Sequence, residues 1–359
     1  MSWIRQKGRD RAERIVMAKG DISFATFNLY NLNAAGKRIY DADGWTQAQY
    51  DAKIAWTASM LAHVAADVFG FQELWHPAPL QEAFEKAGLA DDYDLLVPPD
   101  ADGSHIVCAA AVRKGLLKGA PDWITRFPDL FRLESEGDDP QTPAIQVNLT
   151  GFSRPVLHVQ VEPRSDVAPI DIYVCHLKSK APTKVFREPW YKADKATYAP
   201  HQAALGGALS TIRRTAEATA LRWLLTNRIK GNADPAVVLG DLNDGQHSNT
   251  LNIITAQPNY LRPFSRLAGA DAALYSAQAL QQLQSLTDVY YTHVYQQSRE
   301  SLDHILFSEQ FYNGSARHIW AFHELTIEND HLNQDDHKDL GTGDHGVVRV
   351  QFRYAPAPT

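Results

Sequence analysis

The chain has 359 residues, of which 44% are hydrophobic and 21% are charged, close to the averages for globular domains. This composition excludes a disordered, collagen-like or repeat-dominated chain, and no apolar stretch approaches the length of a membrane span. The two cysteines exclude a disulfide framework and a four-cysteine zinc site, and the net charge of −7 does not suggest a protein that coats duplex nucleic acid.

Short β-type segments alternate with a few helices along the chain. A strand is predicted at 22–27, ending at Asn28, and the apolar periodicity of 46–66 indicates an amphipathic helix. The other predicted strands are at 68–71, 93–97, 105–113, 144–150, 156–162, 170–175, 236–240, 289–295, 302–307, 317–323 and 346–353, and the other predicted helices at 79–87, 200–229, 248–257 and 271–284. This mixture of hairpin spacing and crossover helices predicts two packed sheets with helices outside, rather than a doubly wound parallel sheet.

The chain is expected to form a single domain over residues 21–354. A basic extension at 1–20 precedes it and a short tail at 355–359 follows it. Because the extension lacks the apolar core of a signal peptide, we expect a cytoplasmic protein, with secretion left open if a leader was removed.

Polar or ionisable residues stand where the predicted apolar strands end. They are Asn28, Glu73, His176, Asp241 with Asn243, and Asp303 with His304, and the pair Asp344-His345 directly precedes the last strand. Loops at one edge of a sandwich converge, so we expect these side chains to meet in one cleft. Carboxylates and amides suit a hard divalent cation such as Mg²⁺, Mn²⁺ or Ca²⁺ better than zinc, and imidazoles transfer protons or contact phosphate.

Each of these motifs also has a purely structural explanation when it is taken alone. Residues 240–245 have the composition of a turn, and Asp344-His345 alone is more typical of a turn than of a site. Glu73 and Asp303 are harder to explain in this way, because a carboxylate at a buried strand end needs a partner.

Basic residues are concentrated in the segment 178–214, which contains eight of them and two acidic residues. Such a segment is ordinarily solvated surface, but its position directly after His176 gives substrate binding equal weight. The candidate substrate-binding residues are Lys178, Lys180, Arg213 and Arg214.

Six short motifs follow one another along the chain. They are Thr26-Phe27-Asn28, Phe71-Gln72-Glu73, His176-Leu177-Lys178-Ser179, Gly240-Asp241-Leu242-Asn243-Asp244, Ser301-Leu302-Asp303-His304-Ile305-Leu306 and Gly343-Asp344-His345-Gly346-Val347. In this order they resemble the endonuclease/exonuclease/phosphatase superfamily, which includes deoxyribonuclease I, and the third and fifth are most similar to its bacterial extracellular-nuclease branch. The resemblance covers about 22–353 and implies a four-layer α/β sandwich of two mixed, mainly antiparallel sheets flanked by helices.

The resemblance implies metal-binding roles for three residues. Glu73 is similar to the main metal-binding glutamate, Asn28 to the asparagine that supports metal and phosphate, and Asp344 to a second acid beside the metal. Many family members have an acidic residue two positions after the asparagine, where this chain has Tyr30. With one carboxylate fewer, we expect Mg²⁺ that keeps several waters rather than a tight two-metal site.

The resemblance implies that other residues carry out the chemistry. Asp241 is similar to the aspartate that orients or deprotonates the attacking water, with Asn243 beside it. His345 resembles the catalytic histidine, as base, acid or charged stabiliser, and Asp303 the carboxylate that fixes its tautomer. His176 resembles the residue that contacts a non-bridging phosphate oxygen.

The sequence therefore predicts a divalent-metal-dependent phosphodiester hydrolase, a nuclease for which DNA is favoured over RNA, without a membrane or an obligate protein partner. One alternative is a phosphatase or phosphodiesterase acting on a small-molecule or lipid phosphoester. A second alternative is an inactive binding protein with the same fold, and Tyr30 is the motif departure that favours it. The basic segment favours nucleic acid over the first alternative.

Overall fold

The computed structural model describes residues 20–137, 141–258, 260, 270–285 and 291–357. The predicted extension, apart from residue 20, and the first residues of the strand predicted at 289–295 lie outside this part of the chain. Within it, no helix combines the length and the apolar character that crossing a membrane requires.

Sixteen strands and eight α-helices make up the regular structure of the described residues. The strands are β1 (Ile22–Leu32), β2 (Val68–Leu74), β3 (Tyr93–Leu96), β4 (Val107–Arg113), β5 (Leu117–Arg126), β6 (Glu134–Ser135), β7 (Ile145–Gln146), β8 (Gly151–Val161), β9 (Ile170–His176), β10 (Ala236–Asp241), β11 (Tyr275–Ser276), β12 (His293–Tyr295), β13 (Ser298–Glu300), β14 (Asp303–Phe307), β15 (Trp320–Glu328) and β16 (Val347–Tyr354). The helices are α1 (Gln47–Val64), α2 (Pro77–Ala87), α3 (Pro189–Ala193), α4 (Lys195–Tyr198), α5 (Gln202–Ile229), α6 (Asn249–Thr255), α7 (Ala277–Gln284) and α8 (His337–Leu340).

Two six-stranded sheets contain most of these strands. The first has the order β15-β16-β1-β2-β4-β3 and the second the order β11-β14-β10-β9-β8-β5. In each sheet one central pair is parallel, β1 with β2 and β9 with β10, and the other pairs are antiparallel. Parallel neighbours need a crossover connection, which α1 provides in the first sheet and α5 in the second.

The apolar faces of the sheets and helices produce four layers. Side chains such as Phe24, Val174 and Leu239 fill the space between the two sheets. The outer face of the first sheet packs against α1 and α2, and the outer face of the second against α5 and α6. The prediction of two packed mixed sheets flanked by helices is therefore confirmed.

The ends of α1 follow from its sequence. The Thr46 hydroxyl accepts a hydrogen bond from the Gln49 backbone N–H at 3.3 Å, and the Gln49 side chain accepts one from the Thr46 N–H at 3.0 Å. This reciprocal cap satisfies two backbone donors that a helix start leaves free. At the other end Ala65 adopts a left-handed conformation with φ of 46°, which stops the helix before β2.

The two sheets approach too closely at Gly70 to accommodate a side chain without adjustment. A Cβ atom on Gly70 would lie 3.0 Å from Val174 Cγ1 and 3.2 Å from Leu239 Cβ. Gly70 belongs to β2 and the two contacted residues to the parallel pair of the second sheet, so this contact joins the two central pairs.

Several predicted elements differ from the structure. The prediction missed β5, which lies at the edge of its sheet and is largely exposed, so it lacks the buried alternation that identifies a strand. The strand predicted at 144–150 is wrong except for β7, which pairs only with β6. The helix predicted at 271–284 begins at Ala277, because Tyr275–Ser276 pair with β14 instead.

Candidate active site

The predicted site residues lie at one edge of the sandwich because of strand direction. His176 is paired with Asp241 across the parallel strands β9 and β10, and Asp241 with Asp303 across the antiparallel strands β10 and β14. Asp303 therefore begins its strand where the neighbouring strands end. Asn28 lies inside β1, which continues past the predicted end to Leu32 with a register shift between these two residues.

Asp241 is the centre of the buried polar cluster. Asn28 Nδ2, from the first sheet, donates to Asp241 Oδ2 at 3.1 Å, and the Asn243 backbone N–H donates to Asp241 Oδ1 at 2.9 Å. His176 Nε2 and His345 Nε2 lie 3.5 Å and 3.9 Å from Asp241 Oδ2. One carboxylate oxygen therefore faces groups from both sheets.

A histidine–aspartate pair lies beside this carboxylate. His345 Nδ1 is 2.8 Å from Asp303 Oδ2, which leaves Nε2 of His345 directed towards Asp241. Burial disfavours the charged imidazole, but the carboxylates of Asp303 and Asp241 outweigh burial and raise the pKa of His345 well above its usual value. Burial, reinforced by Asp303 and Glu73 and opposed by His345, raises the pKa of Asp241 to about 7.

His176 has the opposite electrostatic environment. It is buried, and burial together with the positive charges of Arg154, His345 and Lys178 lowers the pKa of His176 well below its usual value. The imidazole is therefore neutral at physiological pH, with Nε2 turned to Asp241. The adjoining turn is fixed by Asn243, whose Nδ2 donates to the Leu177 carbonyl at 3.0 Å.

Glu73 and Asp344 form a second acidic group at the end of the first sheet. Glu73 has a positive φ of 60°, and its Oε2 accepts a hydrogen bond from the Asn31 backbone N–H at 3.0 Å. Burial, and then the negative charge of Asp344, raises the pKa of Glu73. Asp344 Oδ1 is buried and has no hydrogen-bond partner among the described residues.

These carboxylates fit a divalent cation. The charge of Asp344 disfavours ionisation of Glu73, and Asp344 itself has an unpaired buried oxygen. Carboxylate oxygens in such an arrangement are donors that a hard cation prefers. The Asn28 amide is already engaged at both ends, since its Oδ1 accepts the Tyr30 N–H at 3.0 Å while its Nδ2 holds Asp241. Donor atoms of His293, Asp344 and His345 also lie within 4.8 Å of one another, which makes His293 an additional candidate ligand.

A buried lysine borders the acidic group on the first sheet. The Lys53 Nζ donates to the Thr342 carbonyl at 3.1 Å and lies 5.0–5.7 Å from the ring centres of Tyr30, Trp45 and Trp56. Burial lowers the pKa of Lys53 to about 7, against the opposing effect of Asp344 and Glu73. Tyr30, which stands where many family members have an acid, thus helps to enclose a cation.

The four candidate substrate-binding residues have different surroundings. The Lys178 Nζ is partly buried and donates to neutral oxygens of Ser179 and Ala181, and Arg213 is also half-buried. Lys180 pairs with Glu300 at 2.6 Å, and buried Arg214 pairs with Asp244 at 3.2 Å. The structure therefore does not bring Lys180, Arg213 and Arg214 into the buried cluster around Asp241.

Three residues near this cluster were not identified from the sequence. Arg154 lies within β8 and donates to the Leu177 carbonyl at 3.1 Å, while the His293 ring is 4.8 Å from that of His345. Lys53 lies in the middle of α1. None of them ends a strand. Of the three, only Lys53 had a recognisable sequence pattern, since it is a lysine on the apolar face of an amphipathic helix.

Comparison with known proteins agrees with this geometry. A sequence model of the Endonuclease/Exonuclease/phosphatase family matches residues 25–345. No curated protein sequence matches the chain. Members of the family hydrolyse phosphoester bonds and use divalent metals.

Solved structures with the same fold have low sequence identity to the chain. A D. rerio TDP2 humanized by 14 mutations is 15% identical, with a TM-score of 0.53 over 93% of this chain and 99% of its own. An endonuclease/exonuclease/phosphatase from Bacteroides vulgatus is 14% identical with a TM-score of 0.52 over 93% and 99%, and truncated Caenorhabditis elegans TDP2 is 13% identical with a TM-score of 0.52 over 93% and 98%. The chain belongs to the endonuclease/exonuclease/phosphatase family.

Proposed function

We propose that residues 21–354 form one catalytic domain that hydrolyses phosphodiester bonds of nucleic acid with a divalent metal, with DNA favoured over RNA. The observation that carries the proposal is the environment of Asp241 Oδ2. It faces Asn28, His176 and His345 within 3.9 Å, so that groups from both sheets converge on one carboxylate. This arrangement fits a water molecule at Asp241 and an anionic group at the two imidazoles.

In this proposal Asp241 orients the water and accepts its proton. Hydrolysis of a phosphodiester is an in-line displacement in which negative charge spreads over the phosphoryl oxygens. Because the pKa of Asp241 is raised to about 7, its carboxylate is a stronger base than a solvated aspartate and is still largely ionised above neutral pH. The hydrogen bonds from Asn28 and Asn243 fix its orientation.

His345 stabilises the charge that develops on the phosphoryl group. Its raised pKa keeps the imidazole protonated, and Asp303 holds Nδ1–H so that Nε2–H remains available as a donor. Neutral His176 donates a second hydrogen bond from Nε2 to a non-bridging oxygen. Arg154 adds positive charge, and such groups together account for about 10²–10⁴-fold in rate.

Glu73 and Asp344 are the proposed metal ligands, and His293 is a further candidate. A divalent cation bound there supplies the positive charge that polarises the phosphate and stabilises the leaving oxygen. The unpartnered Asp344 Oδ1 supports this assignment because it offers a buried lone pair that no protein group of the described chain uses. Mg²⁺ is the expected ion, since oxygen ligands and retained waters suit it.

The proposal is tested by cleavage of single-stranded DNA, duplex DNA, RNA and a small phosphodiester, each with Mg²⁺ and with a chelator. We expect metal-dependent cleavage of nucleic acid and a loss of about 10²–10⁴-fold in kcat in Asp241→Asn. Asp91→Asn, which changes an exposed aspartate in the same way, is the matched control. Cleavage that persists undiminished in chelator would overturn the metal mechanism, and turnover of the small diester alone would move the function to the alternative substrate class.

A further inference from the structure

A cavity of about 490 Å³ opens next to the catalytic cluster. Its wall combines two aromatic residues with several basic ones. The residues that matter for its chemistry are Arg38, Tyr40, Trp75, His105, Arg154 and Lys178. The volume lies in the range of about 300–1,000 Å³ that is typical of sites for small ligands.

Two wall residues connect the cavity electrostatically to the site. Arg154 and Lys178 both lower the pKa of His176, and Arg154 also opposes the rise in the pKa of Glu73. Trp75 follows Glu73 by two positions, directly after β2. A phosphate held at His176 therefore has the cavity as its immediate neighbour.

The aromatic part of the wall has a free surface. Trp75 is buried and its Nε1 donates to Asn31 Oδ1 at 3.0 Å, so its ring is fixed. Tyr40 packs against it at 5.0 Å between ring centres with an interplanar angle of 74°, yet it is 57% exposed. An exposed ring supported by a fixed one is a surface on which a planar group stacks at low cost in entropy.

The basic side chains of the wall are not held in close ion pairs. Among the described residues, Arg38, Arg154 and Lys178 donate to backbone or hydroxyl oxygens and form no ion pair with a carboxylate. In the basic segment 178–214, by contrast, Lys180 and Arg214 are paired with carboxylates. Lys178, the first residue of that segment, lines the cavity together with Arg38 and Arg154, so positive charge without a carboxylate ion pair faces the cavity.

We infer that this cavity binds the nucleoside that adjoins the scissile phosphate, with its base against Tyr40 and Trp75 and the next phosphate near Arg38. The inference rests on the proposed function and deepens it, because it specifies the substrate class. A base can enter such a concave site only after leaving its neighbours in the helical stack. The preferred substrate is therefore single-stranded nucleic acid or an unpaired strand end, rather than closed duplex.

The experiment compares three DNA substrates with Mg²⁺ present. They are a single-stranded oligonucleotide, a strand of equal length in which abasic spacers replace the nucleosides, and a relaxed covalently closed plasmid. We expect wild-type kcat/KM for the single strand to exceed that for the abasic strand by about ten-fold, since stacking of one base on an aromatic side chain contributes this order. The closed plasmid is cleaved more slowly still, per phosphodiester.

Variants of Tyr40 and a matched aromatic control show whether the preference for base-bearing DNA depends on the cavity or on any exposed aromatic residue. In Tyr40→Ala the preference for the base-bearing strand falls to about two-fold, mainly through KM, and Tyr40→Phe restores it because the ring is retained. Trp190→Ala, which removes an aromatic side chain that is 42% exposed in the basic segment, keeps the wild-type preference.

The outcomes distinguish this inference from the proposed function. Metal-dependent cleavage of the single and abasic strands at equal rates, or of the plasmid as fast as of the single strand, would refute the cavity assignment and leave the phosphodiesterase intact. If the preference for the base-bearing strand were lost in Trp190→Ala but kept in Tyr40→Ala, the base would bind at the basic segment instead of the cavity. Failure to cleave any of the three substrates would instead contradict the proposed function itself.

Discussion

The two sheets follow the same plan but carry different chemistry. Each has a central parallel pair of strands connected by a long helix, and each pair carries two polar side chains in the carboxyl-terminal half of its strands. In the first sheet these are Asn28 and Glu73, and in the second His176 and Asp241. The first sheet thus presents an amide and a carboxylate, while the second adds imidazole to a carboxylate.

The electrostatic environments of these two groups of side chains also differ. At the first sheet, burial and the negative charge of Asp344 disfavour ionisation of Glu73, and a bound cation would favour it. At the second, Asp241 and Asp303 face His345, so negative charge is balanced by a protonated imidazole. We therefore expect variants of the first sheet to change metal affinity and variants of the second to change the chemical step.

The largest effect that tests this separation is expected from Asp303→Asn. The amide no longer stabilises the His345 imidazolium, so the pKa of His345 falls, and kcat decreases by about 10²–10⁴-fold. Titration of His345 by NMR measures the first change and steady-state kinetics the second. A Mg²⁺ affinity weakened as strongly as kcat would contradict the separation of the two sheets.

Glu73→Gln is the corresponding change in the first sheet. We expect the Mg²⁺ concentration for half-maximal activity to rise by about 100-fold, since a charged oxygen ligand is replaced by a neutral one. Activity should recover largely at high Mg²⁺, because the groups around Asp241 are unchanged. A kcat that stays low at saturating metal would place Glu73 in the chemical step.

The pH profile tests the second sheet without mutation. Protonation removes the carboxylate that Asp241 needs, so kcat/KM should fall as the pH drops through about 7, by about ten-fold per unit below that value. Higher Mg²⁺ should shift this limb to lower pH, because nearby positive charge favours the ionised acid. A profile that is flat from pH 5 to 8 would show that Asp241 is not the titrating base.

The smallest expected effect concerns the buried cation next to the first sheet. Lys53→Met removes a positive charge that competes with the metal, so the Mg²⁺ affinity should increase by a few-fold at pH 6. At pH 9 the two proteins should bind Mg²⁺ alike, because a lysine with a pKa of about 7 is already neutral there. Isothermal titration calorimetry at the two pH values checks both statements, and a loss of affinity at either pH would show that Lys53 supports the metal ligands.

The sequence was most informative where a motif coincides with a strand end. Asp241, His176 and Asp303 could be predicted to lie together because strand direction and pairing bring such ends to one edge. Arg154 could not, since its position depends on how β8 is aligned with β9 and on which side chain neighbours Leu177. Local periodicity indicates a strand and its alternating faces but not its register against other strands.

The cavity could not be predicted from the sequence for a related reason. Tyr40 lies in a loop with no regular pattern, and Trp75 reads as one more apolar residue after a buried strand. Only the packing of that loop against the end of β2 creates the ring pair. Conversely, the basic segment was conspicuous in the sequence, but its residues Lys180 and Arg214 are occupied by ion pairs.

The absence of a side chain at Gly70 sets the distance between the two sheets, and the geometry of the site depends on that distance. A methyl group there would require neighbours on β9 and β10 to give way by a few tenths of an ångström. Asn28 and Asp241 belong to opposite layers and are joined by a hydrogen bond of 3.1 Å, which would lengthen beyond a useful range if the layers separated. Substitution of Gly70, which lies outside the proposed catalytic and metal-binding residues, would thus lower the reaction rate by displacing Asn28 from Asp241.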